Sequence, residues 1–235
     1  MPGDLHNHST CSDGSVPIQR LPILAARVGL DTMAISDHDT LLSVQYGYDH
    51  PTQDGVKLIP ATELTGYDYE RQHRVHLLAY WPDPESPALR RHCDLMRQRR
   101  NECCLQSARE IEAIYPQFRT EQALEYAKDS GVLYKSGIMQ ALRELGLADS
   151  IYGETYHYLF GWEPGRGAPL AGIYSGAGSA GHGQGGGGCR RVCPPHRVQE
   201  YAAAAGAGER GNGGRHRDQS PQQQPRRPRR VHRPV

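Results

Sequence analysis

The stretch DLHNHSTCSDG, residues 4–14, sets two histidines and two aspartates within eleven residues. In an extended strand, side chains at i and i+2 point to the same face. His6 and His8 therefore project together, as two ligands of one ion must, and Asp13 follows in the turn. ISDHDT then supplies Asp37, His38 and Asp39, PATEL supplies Glu63, and VHLLAYW supplies His76. Imidazole with carboxylate and without thiolate suits Mn, Fe or Zn, and a carboxylate can bridge two ions. Each piece has an ordinary reading by itself. HxH pairs are often structural, SDHDT makes a capped turn, Glu63 is a surface acid and His76 a satisfied core histidine. Their recurrence at successive strand ends outweighs those readings.

The elements that must position these residues alternate over the first 80 positions. DLHNH reads as a strand, and VPIQRLPILAARVGL as a helix with Pro17 near its start, Pro22 in its first turn and Gly29 near its end. TMAIS (32–36) is a second strand, TLLSVQYGYDH a helical or loop passage, and VKLIPATEL (56–64) and HRVHLLAYW (73–81) are the third and fourth strands. Such alternation predicts an α/β fold with a mostly parallel sheet. In barrel-like α/β folds the site lies at the C-terminal ends of the strands.

From Glu85 the period changes. Leu89, Cys93, Met96, Cys103 and Ile111 fall near one helical stripe, which Pro116 stops. Thr120 is the expected N-cap of a helix that ends at Gly131, and IMQALRELG and IYGETYHYLFG give two shorter helices. The domain reading is therefore 1–84 as an α/β beginning, 85–163 as an all-helical unit, and 164–235 as a tail.

The net charge of +1 conceals an asymmetry: residues 1–164 sum to −8 and residues 165–235 to +9. The tail has 16 Gly in 71 residues, no Phe, Met or Trp, and six Ile, Leu or Val. Such a composition cannot bury enough apolar surface to offset its ordering entropy, so it reads as disordered. It fits a basic nucleic-acid-binding arm, a functionless extension, or out-of-frame translation of a GC-rich gene. The disappearance of lysine after Lys135 and of apolar periodicity after about Gly165 favours the last. Cys189 and Cys193 stand near His182 and His196, but without a surrounding core their spacing reads as chance. No leader and no apolar run near the ~20 residues of a membrane span is evident. Reduced thiols in a cytoplasmic protein are the expectation, with no membrane and no specific protein partner.

DLHNHSTCSDG, ISDHDT, PATEL and VHLLAYW together resemble the polymerase-and-histidinol-phosphatase (PHP) superfamily of metal-dependent phosphoesterases, over about residues 3–81. The helical stretch 85–163 resembles the insertion of its stand-alone bacterial branch, which acts on nucleotides or short oligonucleotides. The resemblance implies part of a distorted seven-stranded β/α barrel carrying an all-helical insertion and two or three divalent ions (Mn, Fe or Zn). His6 and His8 would bind one ion, Glu63 would bridge it to a second that His76 also binds, and Asp13 with His38 would hold a third. Asp37 and Asp39 would orient a histidine and set its tautomer. A hydroxide shared between ions, not a side chain, would attack phosphorus. The substrate would be a phosphorylated small molecule or a short nucleic acid.

The pattern also departs from the family. Glycine of the family's GxE is Ala61, and Gly137 stands where relatives carry a histidine before the IMxAL helix. Lys135 or Arg100 would then meet the substrate phosphate. No AHP-like histidine and no final Asp-x-His follow Gly165. The chain thus reads as the front of such an enzyme, with an inactive fragment, a metal-binding but silent domain, and nucleic-acid binding through the tail as alternatives. Resequencing the gene between the codons for Tyr152 and Tyr201 tests the out-of-frame reading. A restored frame encoding the two missing motifs is expected; an intact frame marks the tail as genuine and the chain as an inactive relative.

Overall fold

Met33, Ala34 and Ile35 are almost wholly buried, and the strand they form is the middle of a parallel trio. The computed structural model describes residues 2–161, apart from residues 69 and 72 and the side chain of His73. Expectations for the tail and its cysteines lie outside the described residues. In chain order the elements are β1 (Gly3–Asn7), α1 (Leu21–Arg27), β2 (Thr32–Ile35), α2 (Leu42–Asp49), β3 (Thr52–Gln53), β4 (Val56–Asp68) and β5 (His73–Tyr80). The helices α3 (Pro87–Ile114), α4 (Thr120–Leu124), α5 (Lys135–Glu144) and α6 (Glu154–Phe160) follow.

β1, β2 and the first half of β4 run parallel, with Gly3 opposite Thr32 and Thr32 opposite Lys57. Parallel neighbours need a long crossover, which α1 and α2 provide. A short 3₁₀ turn, Ile18–Arg20, precedes α1, so the helix is shorter than the VPIQRLPILAARVGL pattern predicts. Pro22 lies in the first turn of α1, where a missing N–H leaves no intrahelical bond unmade. α2 lies close over β4. A Cβ added at Gly47 would stand 2.8 Å from the Pro60 Cα, closer than packed atoms approach.

The sheet is mixed rather than mostly parallel. β4 does not end at Glu63 but runs on to Asp68, turns, and pairs antiparallel with β5 from Ala61 opposite Tyr80 to Asp68 opposite His73. A connection as short as residues 69–72 can join only antiparallel strands. β3 adds a two-residue antiparallel pair at the start of β4. Five strands are present among the described residues, where the family resemblance implied a seven-stranded barrel.

α3 carries the expected stripe, with Leu89, Cys93, Met96, Cys103 and Ile111 all buried, and two polar members as well, His92 and Arg100. Pro116 stands just beyond its end. Thr120 is the first residue of α4 rather than its cap, which is Arg119. The helix expected to reach Gly131 breaks earlier into the 3₁₀ turn Glu125–Ala127, and Gly131 closes the segment at φ 67°. Phe118, Leu133, Ile138, Met139, Leu142 and Leu159 fill the core of the helical unit. Leu64 and Ala79 of the hairpin pack with Leu89 and Cys93 of α3, which joins this unit to the sheet. Among the described residues, no helix is long and apolar enough to cross a membrane. Gly47→Ala is expected to destabilise the fold by about 1–3 kcal/mol, because the methyl meets backbone rather than a movable side chain. Equilibrium urea denaturation checks it.

Candidate metal centre

The ladder between β2 and β4 continues past Ile35. Asp39 N donates to the Glu63 carbonyl at 2.9 Å and Glu63 N to the Asp37 carbonyl at 3.2 Å, which sets His38 beside Glu63. Glu63 is buried, and four imidazoles surround its carboxylate. Oε2 lies 2.9 Å from His6 Nε2, 2.9 Å from His8 Nε2 and 3.5 Å from His38 Nδ1. Oε1 lies 2.9 Å from His76 Nδ1. His76 is diagonal to Glu63 across the hairpin, two residues from its direct partner Leu78, and so shares its face. Antiparallel pairing, rather than a fourth parallel strand end, delivers this histidine.

The loop after β1 folds back over His8. Gly14 N and Ser12 N both donate to the Ser9 carbonyl, and a Cβ at Gly14 would stand 2.3 Å from the His8 carbonyl oxygen. Only glycine fits there. Asp37, fully buried, anchors the loop by accepting from Ser9 N (2.7 Å), Ser9 Oγ (2.6 Å) and Ser12 Oγ (2.5 Å). The loop thereby brings Asp13 Oδ1 to 2.8 Å from His8 Nδ1 and Asp13 Oδ2 to 3.9 Å from His38 Nε2.

Asp37 and Asp39 do not orient a histidine of the cluster, contrary to the family-based expectation. Asp37 holds serines, and the carboxylate that meets the far nitrogen of His8 is Asp13. Asp39 is fully buried and accepts from Thr65 N (2.8 Å), Thr65 Oγ1 (2.6 Å) and Arg100 Nη2. Its histidine neighbour is His92 of the helical unit, at 3.6 Å. Arg100, expected at the substrate phosphate, is instead buried against Asp39 and Thr65 and lies over the Tyr134 ring. A buried carboxylate leaves its guanidinium committed to charge compensation. Ser9, Ser12, Thr65, His92 and Tyr134 escaped the sequence reading; only Ser9 and Ser12 carried a signal, inside STCSDG.

The protonation pattern follows from these neighbours. For Glu63 burial opposes ionisation, but hydrogen bonds from His76 and His8 and the His38 charge outweigh it and hold the carboxyl well below the usual range. For Asp39 burial again opposes ionisation, and the nearby His92 ring, the Arg100 charge and the bonds from Thr65 overcome it. Burial disfavours a charged His8, yet its bonds to Asp13 and Glu63 push it up to about 10. His38 goes the other way, down to about 4, chiefly through burial with Arg100 nearby.

The donor set fits divalent ions. His6, His8 and Glu63 form one group, His8, Asp13 and His38 a second, and His38, Glu63 and His76 a third, with ligand atoms within 4.8 Å of one another in each. The Nε2 atoms of His6 and His8 face each other at 3.1 Å. Ligand atoms about 2.1 Å from one ion stand about 3 Å apart, so this crowding is what a shared cation resolves. His38 Nδ1 is buried without a hydrogen bond, a lone pair or proton with no other use.

A cavity of about 480 Å³ opens beside Asp13, walled by Ser12 on the loop and by Tyr126, Tyr134, Ser136 and Gln140 of the helical unit. Lys135, at the first position of α5, is half-buried with its ammonium 4.7 Å from the centre of the Phe160 ring, and burial lowers its pKa. Gly137 is a packing residue: a Cβ there would stand 3.1 Å from that of Tyr126, which occupies the space a histidine would need.

A strand-built cluster of imidazoles around one buried carboxylate, at the edge of a cavity, gives this α/β domain a donor set that could hold metal ions. The PHP domain matches residues 4–135, and the chain belongs to that family. It is 34% identical over 158 residues to a phosphoribosyl 1,2-cyclic phosphate 1,2-diphosphodiesterase of Eggerthella lenta, covering 67% of this chain and 60% of that protein. It is 27% identical over 158 residues to the 5'-3' exoribonuclease Rnm of Salmonella typhimurium, covering 66% and 53%. The chain thus spans little more than half the length of these relatives. Two solved structures share the fold at a TM-score of 0.60. One is a Bifidobacterium adolescentis protein named as a candidate metal-dependent phosphoesterase (23% identity; 66% of this chain, 54% of that one). The other is a Chromobacterium violaceum amidohydrolase with bound sulfate and no metal (22%; 71% and 57%).

Two pH effects are expected. In the ion-free protein, His8 and His38 together contribute most to stability close to pH 6.5. Above it, the stabilisation from protonated His8 fades as pH climbs towards about 10; below it, unfolding is favoured because unfolded His38 takes up a proton that the folded site resists down to about 4. Further loss follows as Glu63 and Asp39 protonate in stronger acid. Second, an ion on His8 Nε2 must displace its proton, so uptake near pH 7 should release about one proton, read by calorimetry in buffers of different ionisation enthalpy.

Proposed function

We propose that this domain is a metal-dependent phosphoesterase whose substrate is a phosphodiester of a ribonucleotide or related sugar phosphate. The observation that carries the reading is Glu63, which turns one carboxylate oxygen to His6 and His8 and the other to His76. His6, His8 and Glu63 would hold one ion, Glu63 and His76 a second, and Asp13 with His38 a third, with Mn, Fe or Zn matching the donors. Bound ions supply Lewis-acid polarisation of a phosphoryl group and activation of water.

The chain's own residues support that chemistry. Glu63 stays ionised and His38 neutral near pH 7, the states in which carboxylate and imidazole bind cations. Ser9 and Ser12, on the loop that carries Asp13, donate to Asp37 rather than to a histidine base. The cavity beside Asp13 has the volume of a nucleotide-sized ligand. Lys135 lies between Tyr134 and Ser136 of the cavity wall without lining the cavity itself, and its half-buried ammonium would have to swing off the Phe160 ring to meet a phosphate there. Both named relatives act on phosphodiester bonds of ribose compounds, which favours the same class here.

The purified chain is expected to take up Mn²⁺, and the version with a restored frame to hydrolyse bis(4-nitrophenyl) phosphate and a short oligoribonucleotide. His8→Ala should lower ion affinity by more than about 100-fold, beyond the effect of outer-shell changes. Lys135→Ala should raise KM about tenfold with unchanged ion content, as loss of one charge-assisted contact implies. Metal content together with initial rates checks both. Ion binding without turnover would identify a silent domain instead, and no ion binding would overturn the assignment.

A further inference from the structure

The helical unit grips the peptide between His38 and Asp39 from two sides. Tyr134, immediately before α5, donates its hydroxyl to the His38 carbonyl at 3.2 Å. Asp39 holds a left-handed φ of 50°. A non-glycine residue keeps that conformation only where its surroundings over-determine it. Here they do: Thr65 and the α3 residue Arg100 both donate to the Asp39 carboxylate. The Arg100 guanidinium in turn lies 4.9 Å from the centre of the Tyr134 ring. A closed circuit results, running from His38 to Asp39, Arg100, Tyr134 and back to the His38 carbonyl.

The circuit is braced from behind. Arg97 Nη2 donates to the Ser130 carbonyl at 2.7 Å and Leu133 N to Asn101 Oδ1 at 2.9 Å, which ties the segment before Tyr134 to α3. His38 belongs to two of the three ligand groups. The remaining group, His6, His8 and Glu63, receives no hydrogen bond from the helical unit among the described residues. The nearest ties to that group, Arg100 to Thr65 and Thr10 to Asp129, stop two residues short of Glu63 and His8, so the grip acts most directly on His38.

We propose that Tyr134 and Arg100 are positioning residues for His38, so that ions held through His38 depend on a docked helical unit while the ion at His6, His8 and Glu63 does not. This rests on the reading of the cluster as a metal centre. Tyr134→Phe removes the bond to His38 but keeps the ring beneath Arg100. Arg100→Lys keeps a cation opposite Asp39, and Arg100→Gln does not.

The test is Co²⁺ titration of the ion-free full-length chain, followed by calorimetry and by the visible absorption of the bound ion. Wild type is expected to bind at least two ions. Tyr134→Phe should leave the first affinity unchanged, lower the ion-free melting temperature by only about 2–4 °C as loss of one hydrogen bond implies, weaken a later ion about tenfold and alter its absorption band. Arg100→Lys should bind nearer to wild type than Arg100→Gln. A Tyr134→Phe titration that overlays wild type overturns the proposal, as does equal weakening of every ion. Wild type that takes up no Co²⁺ overturns the metal-centre reading itself, a separate failure.

Discussion

A carboxylate cannot stay ionised inside a protein without compensation, and Glu63 is buried with four imidazoles around it. Much of the α/β part serves that one group. The ladder from β2 carries His38 to its side, β1 aims His6 and His8 at one oxygen, and the hairpin returns His76 to the other. Without cations, protons on the histidines must balance the charge, which is why His8 rises to about 10. An ion takes over that role when it displaces the proton.

Two further buried acids hold the frame. Asp37 and Asp39 flank His38 in sequence, yet they face different structures: one anchors the loop bearing Asp13, the other reaches the helical unit through Arg100. An unbroken strand would put both on one face, but the left-handed φ of 50° at Asp39 breaks the extended path and separates them. SDHDT is thus a junction, with one ligand between two anchors. Removing either anchor would leave donors unpaired in the interior, a larger loss than an exposed contact.

Much of this was legible in the sequence where the relation was local. The i, i+2 spacing of His6 and His8 needs only a strand, and the α3 stripe needs only the helical period. Relations across the chain were not legible. Glu63 was seen as a strand end, but β4 continues to Asp68, and His76 reaches the cluster through antiparallel register that no single strand encodes. Arg100 read as a phosphate-facing charge because its partner, Asp39, lies 61 positions earlier. Gly137 read as a lost histidine, whereas contact with Tyr126 makes it a packing residue. The 3₁₀ turns that shorten α1 and α4 left no periodic trace.

The circuit through Tyr134 and Arg100 also has a time order. The cluster's ligands lie between positions 6 and 76, and the last member of the circuit follows about 60 residues later. At roughly 5–20 residues per second of synthesis, that gap lasts roughly 3–12 s, whereas a hairpin closes in microseconds. A growing chain therefore offers its ion ligands well before it has the means to lock His38 in place. On the proposed reading, chain order alone would let an ion at His6, His8 and Glu63 be loaded while the polypeptide is still being made, before the helices arrive to hold His38.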